Sequence, residues 1–206
     1  ASFLAMAKDS IVMVFDAATG KPLRSTKISG WDACAGAFSP DGKWILCGGT
    51  DDIVHWLEAA TLKEASAARG SAGYVFGAAW SPDGKRAVTC VGSGPLDLWD
   101  TLSQRRLRVM TGHGLYVWRV AIASDSRRAL SAGGDQSVKL WDLAVGTEMR
   151  TLYGHTRSVA DVAFTPDGTH AISTSDDGTV RIWDLARNPE RAEMYGHVMS
   201  VGRVAV

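Results

Sequence analysis

The sequence predicts an all-β fold in which one four-stranded unit is repeated five times, and three residue series carry that reading. Phe15-Asp16, Leu57-Glu58, Trp99-Asp100, Trp141-Asp142 and Trp183-Asp184 follow one another at one constant interval, that between positions 15 and 57. Ser29, Ser71, His113, His155 and His197 keep the same interval, the last three inside Gly-His pairs. Asp41-Gly42, Asp83-Gly84, Asp125-Ser126 and Asp167-Gly168 place one turn in every period. A fixed period of this length means that each unit is a supersecondary element that buries its apolar faces against its neighbours.

The unit ending at Trp183-Asp184 justifies the elements in order. SVADVAF (158–164) is a strand-sized apolar run, and TPDG (165–168) turns the chain. HAISTS (170–175) is a second run, DDG (176–178) a second turn, and TVRIWDL (179–185) a third run; after a variable loop EMYG (193–196) is the fourth. Asp-Gly between such runs is a hairpin signal, because a tight turn needs residues that tolerate positive φ. The expected strands are therefore a, b, c and d in each unit, with hairpins at Asp167-Gly168 and Asp177-Gly178. Gly and Pro punctuation continues along the chain without a linker or low-complexity tract, and no helix is expected.

The segment GHTRSVADVAFTPDGTHAISTSDDGTVRIWD (154–184) resembles a WD40 repeat, and the resemblance extends over the whole chain. It implies a WD40-type β-propeller of five 42-residue blade units, with residues 1–206 forming a single propeller domain or propeller segment. One unit is split between the termini: its strand a would be Ser200 to Val206 and its strands b, c and d would lie within residues 2 to 28. Two arrangements satisfy that count. The chain is a five-bladed ring closed by its own termini, or a segment of a larger, seven-bladed propeller, and the lack of one a–b turn favours the segment.

Lys plus Arg and Asp plus Glu number 22 each, so no net field draws the chain to nucleic acid or acidic lipid; protein partners are expected, as in a subunit of a larger complex. No apolar run has the roughly 18–20 residues of a membrane span. ASFLAMAKDS lacks the features of a signal peptide and begins without Met, which reads as a processed chain or as a start partway through a larger protein; the compartment stays open, with a soluble, cytoplasmic location favoured. Cys34, Cys47 and Cys90 have no metal-ligand or redox spacing, and Cys47 aligns with Thr89, Ser131 and Ser173 as a small buried residue. No cofactor, metal or small-molecule substrate is expected.

His113, Ser131, Asp135 and Trp141 recur one period later as His155, Ser173, Asp177 and Trp183. The resemblance implies that each set is a buried hydrogen-bonded tetrad joining the loop before strand a to strands b and c. A His-Asp-Ser trio also looks like a hydrolase triad, but a nucleophile must be accessible, whereas packing explains both copies. The other units keep less: Ser71, Thr89, Ser93 and Trp99 in one, Ser29, Cys47, Asp51 and Leu57 in another, which are expected to be held more by apolar contacts. His55 and His170 fall outside the Gly-His series and read as solvated strand positions.

Among the eight tryptophans, Trp99, Trp141 and Trp183 hold the repeated strand-c position, and Trp80 aligns with Phe38, Ile122 and Phe164; these four read as core. Trp31, Trp44, Trp56 and Trp118 stand where the other units are mostly small or polar, so repetition does not explain them. The resemblance implies a top face, at the start of strand a, where partner peptides bind. The residues expected to form that rim are Trp31, Tyr74, Tyr116, Trp118, Arg119, Arg157, Asp161 and Arg203, since aromatic and Arg anchors dominate binding hot spots; packing between neighbouring blades is the alternative for the aromatic series. The function expected is a non-catalytic scaffold for protein–protein interaction. The alternative is a propeller segment of a larger protein whose catalytic, regulatory or electron-transfer domain lies outside this chain.

Overall fold

A computed structural model describes residues 2–7, 11–28, 33–186 and 193–196, and side chains within 11–28 and 35–186. The described residues form β-strands and turns without a helix. Blade 1 holds β1 (Ser2–Ala7), β2 (Ile11–Asp16) and β3 (Pro22–Lys27). Blade 2 holds β4 (Ala33–Phe38), β5 (Trp44–Gly49), β6 (Ile53–Glu58) and β7 (Glu64–Arg69). Blade 3 holds β8 (Val75–Trp80), β9 (Arg86–Val91), β10 (Leu96–Asp100) and β11 (Arg105–Met110). Blade 4 holds β12 (Val117–Ile122), β13 (Arg128–Gly133), β14 (Val138–Asp142) and β15 (Thr147–Leu152). Blade 5 holds β16 (Val159–Phe164), β17 (His170–Ser175), β18 (Thr179–Asp184) and β19 (Glu193–Gly196).

Each sheet is an antiparallel meander in chain order, four-stranded in blades 2 to 5 and three-stranded in blade 1. The segment expected to complete blade 1, Ser200 to Val206, lies outside the described residues. The a–b turns are tight because glycine supplies the left-handed residue, with φ +70° at Gly42, +71° at Gly84 and +67° at Gly168; Ser126 adopts φ +58° in blade 4. The first strands β4, β8, β12 and β16 pack on one another in succession, and apolar clusters fill the seams. Trp56 and Trp99 share one cluster with Leu46 and Val75, while Trp141 shares the next with Leu98, Val88 and Val117.

Two bulges recur along the blades and explain where side chains point. In strand a, Phe76 is skipped between Val75 and Gly77 in the pairing with strand b, and Trp118 between Val117 and Arg119. In strand d, the pairing skips Ala65, Leu107 and Met149 in blades 2, 3 and 4. A bulge inserts an unpaired residue and turns its side chain out of the ladder. Phe76 and Trp118 are aimed in this way toward the end of the blades where strand a begins.

The structure corrects three readings. Trp56 is fully buried, and its repeat counterparts are Val14, Leu98, Leu140 and Ile182 rather than small or polar residues. It faces blade 3, meeting Trp80 edge to face at 5.4 Å and Trp99 at 6.5 Å. Trp80, read as core, is only partly buried, and its indole N–H donates to the Ala37 carbonyl at 3.1 Å. His55, read as solvated, is 5 % exposed and lies between two carboxylates.

Candidate functional site

In blade 5, His155 Nε2 lies 2.8 Å from Ser173 Oγ, Trp183 Nε1 donates to the same oxygen at 2.8 Å, and His155 Nδ1 lies 2.8 Å from Asp177 Oδ2. Blade 4 repeats the pattern with His113, Ser131, Trp141 and Asp135 at 2.7, 2.8 and 2.9 Å. One proton arrangement closes each network: the indole N–H donates to serine, the serine O–H donates to Nε2, and Nδ1–H donates to the carboxylate. Both serines are fully buried, so neither hydroxyl is presented as a nucleophile. The tetrads tie the loop before strand a to strands b and c.

In blade 5 the electrostatics fit a neutral His155 against an ionised Asp177. Burial pushes the His155 pKa below its ordinary value, although the hydrogen bond to Asp177 acts in the opposite direction. Burial would raise the Asp177 carboxyl, but donors from the Thr179 hydroxyl, the Thr156 N–H and His155 outweigh it and hold it well below the usual range. At Asp135 burial is again outweighed, here by His113 and the Ser137 hydroxyl. Burial, above all, carries the Cys47 and Cys90 thiols up to about 12, which leaves both as inert apolar packing groups.

Blades 2 and 3 keep part of the tetrad and add polar partners that the sequence reading missed: Asp97 and Arg106 in blade 3, His55 and Glu64 in blade 2. In blade 3 Trp99 donates to Thr89 Oγ1 at 2.9 Å, and Ser71 stands in the histidine position. Its N–H and hydroxyl donate to Asp97, at 2.6 and 2.7 Å, and Arg106 reaches the same carboxylate at 3.1 Å. In blade 2 His55 Nε2 lies 3.3 Å from Asp51 Oδ2 and Nδ1 lies 3.2 Å from Glu64 Oε2. His55, Asp97, Lys139 and Arg181 are themselves one period apart, each just before the repeated strand-c aromatic position. A polar residue recurring in the middle of an apolar strand was the available signal. Lys139 pairs with Glu148 at 2.8 Å, the reverse polarity of Asp97 and Arg106. Among the described residues, no group of three or more His, Cys, Asp or Glu side chains is arranged to hold a metal ion.

The meander sends the loops before strand a and the b–c turns to one end, the top, and the a–b and c–d turns to the other. At the top, blades 3 and 4 bring four rings together. Phe76 lies 4.9 Å from Trp118, 6.2 Å from Tyr74 and 6.5 Å from Tyr116, and Tyr116 lies 5.4 Å from Trp118. Tyr74 and Tyr116 are repeat counterparts, as are Phe76 and Trp118. Both tyrosines and Leu115 remain about half exposed, at 53 %, 51 % and 53 %. Phe76 was missed because its counterparts Cys34 and Ala160 are small; the signal was its match to Trp118.

The remaining rim residues divide. Trp118 Nε1 donates to Ser158 Oγ, in the loop leading into blade 5, at 2.8 Å. Arg119 donates to the Phe76 and Trp118 carbonyls at 2.7 and 2.9 Å, which makes it a clasp across the blade 3–blade 4 seam. Trp118 and Arg119 line a top cavity of about 250 Å³ with Ser158, Ala160 and Asp176. Arg157 is exposed, whereas Asp161 is 8 % exposed and its Oδ1 accepts the Val162 N–H. Trp31 and Arg203 lie outside the residues whose side chains are described.

The model of the family described as WD domain, G-beta repeat matches residues 21–56, 104–142 and 146–184, more than half of the chain, and the chain belongs to that family. No curated protein matches it. Each matched segment begins near strand d of one blade and ends in strand c of the next, so the sequence repeat is offset from the blade by one strand. Repeats of this family generally mediate protein–protein interaction and are generally non-catalytic. Among the described residues no helix is long and apolar enough to cross a membrane.

Proposed function

We propose that the chain is a non-catalytic scaffold that binds a protein partner on its top face, at the seam between blades 3 and 4. One observation carries this reading: four aromatic rings from two blades cluster there while Tyr74 and Tyr116 stay half exposed. Tyrosine and tryptophan offer large rigid contact area with a polar handle, the composition of binding hot spots. Trp118 forms the floor, and exposed Arg157 supplies a rim charge. Arg119 supports the floor through the carbonyls it bonds, and buried Asp161 shapes the inner strand. Trp31 and Arg203 belong to the proposed rim on the sequence alone, since they lie outside the residues whose side chains are described. The balanced charge of the chain favours a short-range, modestly salt-sensitive contact over long-range attraction.

The reading is tested by selecting peptides from a random library against the chain and measuring their affinity for Tyr74→Ala and Tyr116→Ala. Each substitution is expected to weaken binding by at least about fivefold, the equivalent of about 1 kcal/mol. Selected peptides that bind both variants as tightly as the parent overturn it.

A further inference from the structure

The bottom face, away from the top rim, has a cavity at one seam whose counterpart at a later seam holds an arginine of the chain itself. At the seam between blades 4 and 5, Arg128 opens strand b of blade 4 and lies over the ring of Phe164, 5.7 Å from its centroid. Its Nε donates to Asp125 Oδ2 at 2.7 Å. A Cβ on Gly168 would come within 2.9 Å of its guanidinium, which shows how closely blade 5 encloses it. One guanidinium is thus held between a turn carboxylate, an aromatic ring and a glycine turn.

Two seams earlier, the same three positions are Asp41, Trp80 and Gly84, but the position of Arg128 is taken by Trp44. Here a cavity of about 730 Å³ opens between the a–b turns of blades 2 and 3, lined by Trp44, Trp80, Asp41 and Gly84. A Cβ on Gly84 would meet nothing within 4 Å, in contrast to Gly168. Asp41 uses Oδ1 for its own turn, accepting from Ser39 Oγ at 2.7 Å and the Lys43 N–H at 3.1 Å. Its Oδ2, the counterpart of the oxygen that holds Arg128, pairs with the Lys43 ammonium at 3.5 Å. That lysine is 76 % exposed, a surface pair of small net value.

We propose that this pocket binds an arginine side chain of a protein partner, which takes the place between Asp41 and Trp80 that Arg128 takes between Asp125 and Phe164. The indoles of Trp44 and Trp80 supply two π faces, and a planar guanidinium is the cation best suited to stack on them while bonding a carboxylate. The site also has positive neighbours. Arg86 is committed to Asp100 at 3.0 Å, and Lys85 sits beside Asp83 on the same turn. Leu102, 96 % exposed at the mouth, offers apolar contact to the residues flanking the arginine.

The test is a titration of the isotope-labelled chain with a capped Gly-Ser-Arg-Ser-Gly peptide and with its citrulline form, which has the same shape without the charge. The indole N–H signals of Trp44 and Trp80 are expected to move with the arginine peptide, and the citrulline peptide to bind roughly three- to thirtyfold more weakly. Trp44→Arg installs the residue that blades 3 and 4 carry there and is expected to abolish the response. Asp41→Asn is expected to weaken it several-fold, and it decides the question alone if Trp44→Arg does not fold. Equal responses to the two peptides, shifts confined to other tryptophans, no shift at all, or binding that survives Asp41→Asn unchanged would each overturn the proposal.

Discussion

His55 lies 3.3 Å from Asp51, so blade 2 keeps the histidine–aspartate pairing of the tetrads while drawing the histidine from strand c rather than from the loop before strand a. In blades 4 and 5 that loop histidine bonds the corresponding Asp135 and Asp177. The pairing is retained because a partly buried carboxylate needs a donor, and either end of the same space can provide it. The divergent blades, expected to be held more by apolar contacts, thus also keep a polar pairing.

His55→Ala is expected to destabilise the chain by about 1–3 kcal/mol, since it removes a partner from both Asp51 and Glu64. Urea denaturation measures this. A midpoint within error of the parent would return His55 to the role of a bystander.

Trp183→Ala should cost on the order of 3–5 kcal/mol, because it empties a core position and removes the N–H that donates to the buried Ser173 oxygen. Trp56→Leu, which installs the residue that blades 3 and 4 carry at that position, should cost less, about 1–3 kcal/mol. Trp56 Nε1 has no hydrogen-bond partner, so its loss leaves no orphaned group behind. Equal midpoints for the two variants would contradict this ordering.

Arg119→Ala is expected to lower stability by about 1–2 kcal/mol by releasing the Phe76 and Trp118 carbonyls. A purely surface-exposed binding residue, as its rim position suggests from sequence, would leave stability nearly unchanged. Tyr116→Ala, at a half-exposed side chain, should stay within about 0.5 kcal/mol of the parent. Thermal melts of the two variants side by side distinguish a clasp from a contact surface.

Stability should fall on acidification in two stages. His155 titrates below its ordinary value of 6.5 in the folded chain, so the unfolded chain binds more protons between those values. Its contribution is present above about pH 6.5 and is lost as pH falls toward the folded value. Asp135 and Asp177, held below 3.8, add a second loss below about pH 4. His155→Gln should flatten the first stage and leave the second. Denaturation midpoints measured from about pH 7 to about pH 3 check this, and a parent midpoint that is flat or rises as the pH drops from about 7 to about 5 contradicts it.

The sequence by itself determined the architecture. A repeat phase that never slips places strand a at Val75, Val117 and Val159 and strand b at Arg86, Arg128 and His170. Local turn chemistry and strand length decide such boundaries, and both are written in neighbouring residues. The tetrad residues were legible through the resemblance to WD40 repeats, on the recurrence of His, Ser, Asp and Trp at one spacing in two units.

Only the tertiary structure decided what happens between blades. Trp56 is core because blade 3 lays Trp80 and Trp99 against it, and Arg119 is a clasp because the Phe76 carbonyl comes within reach across a seam. Phe76 and Trp118 meet at the top because a bulge in strand a turns both out of their ladders. The bottom pocket lies at a seam where Trp44 stands in the position of the arginine that covers Phe164 at a later seam. None of these depends on the residue alone: each is set by the face the neighbouring blade presents, a full repeat away in sequence and in direct contact in space.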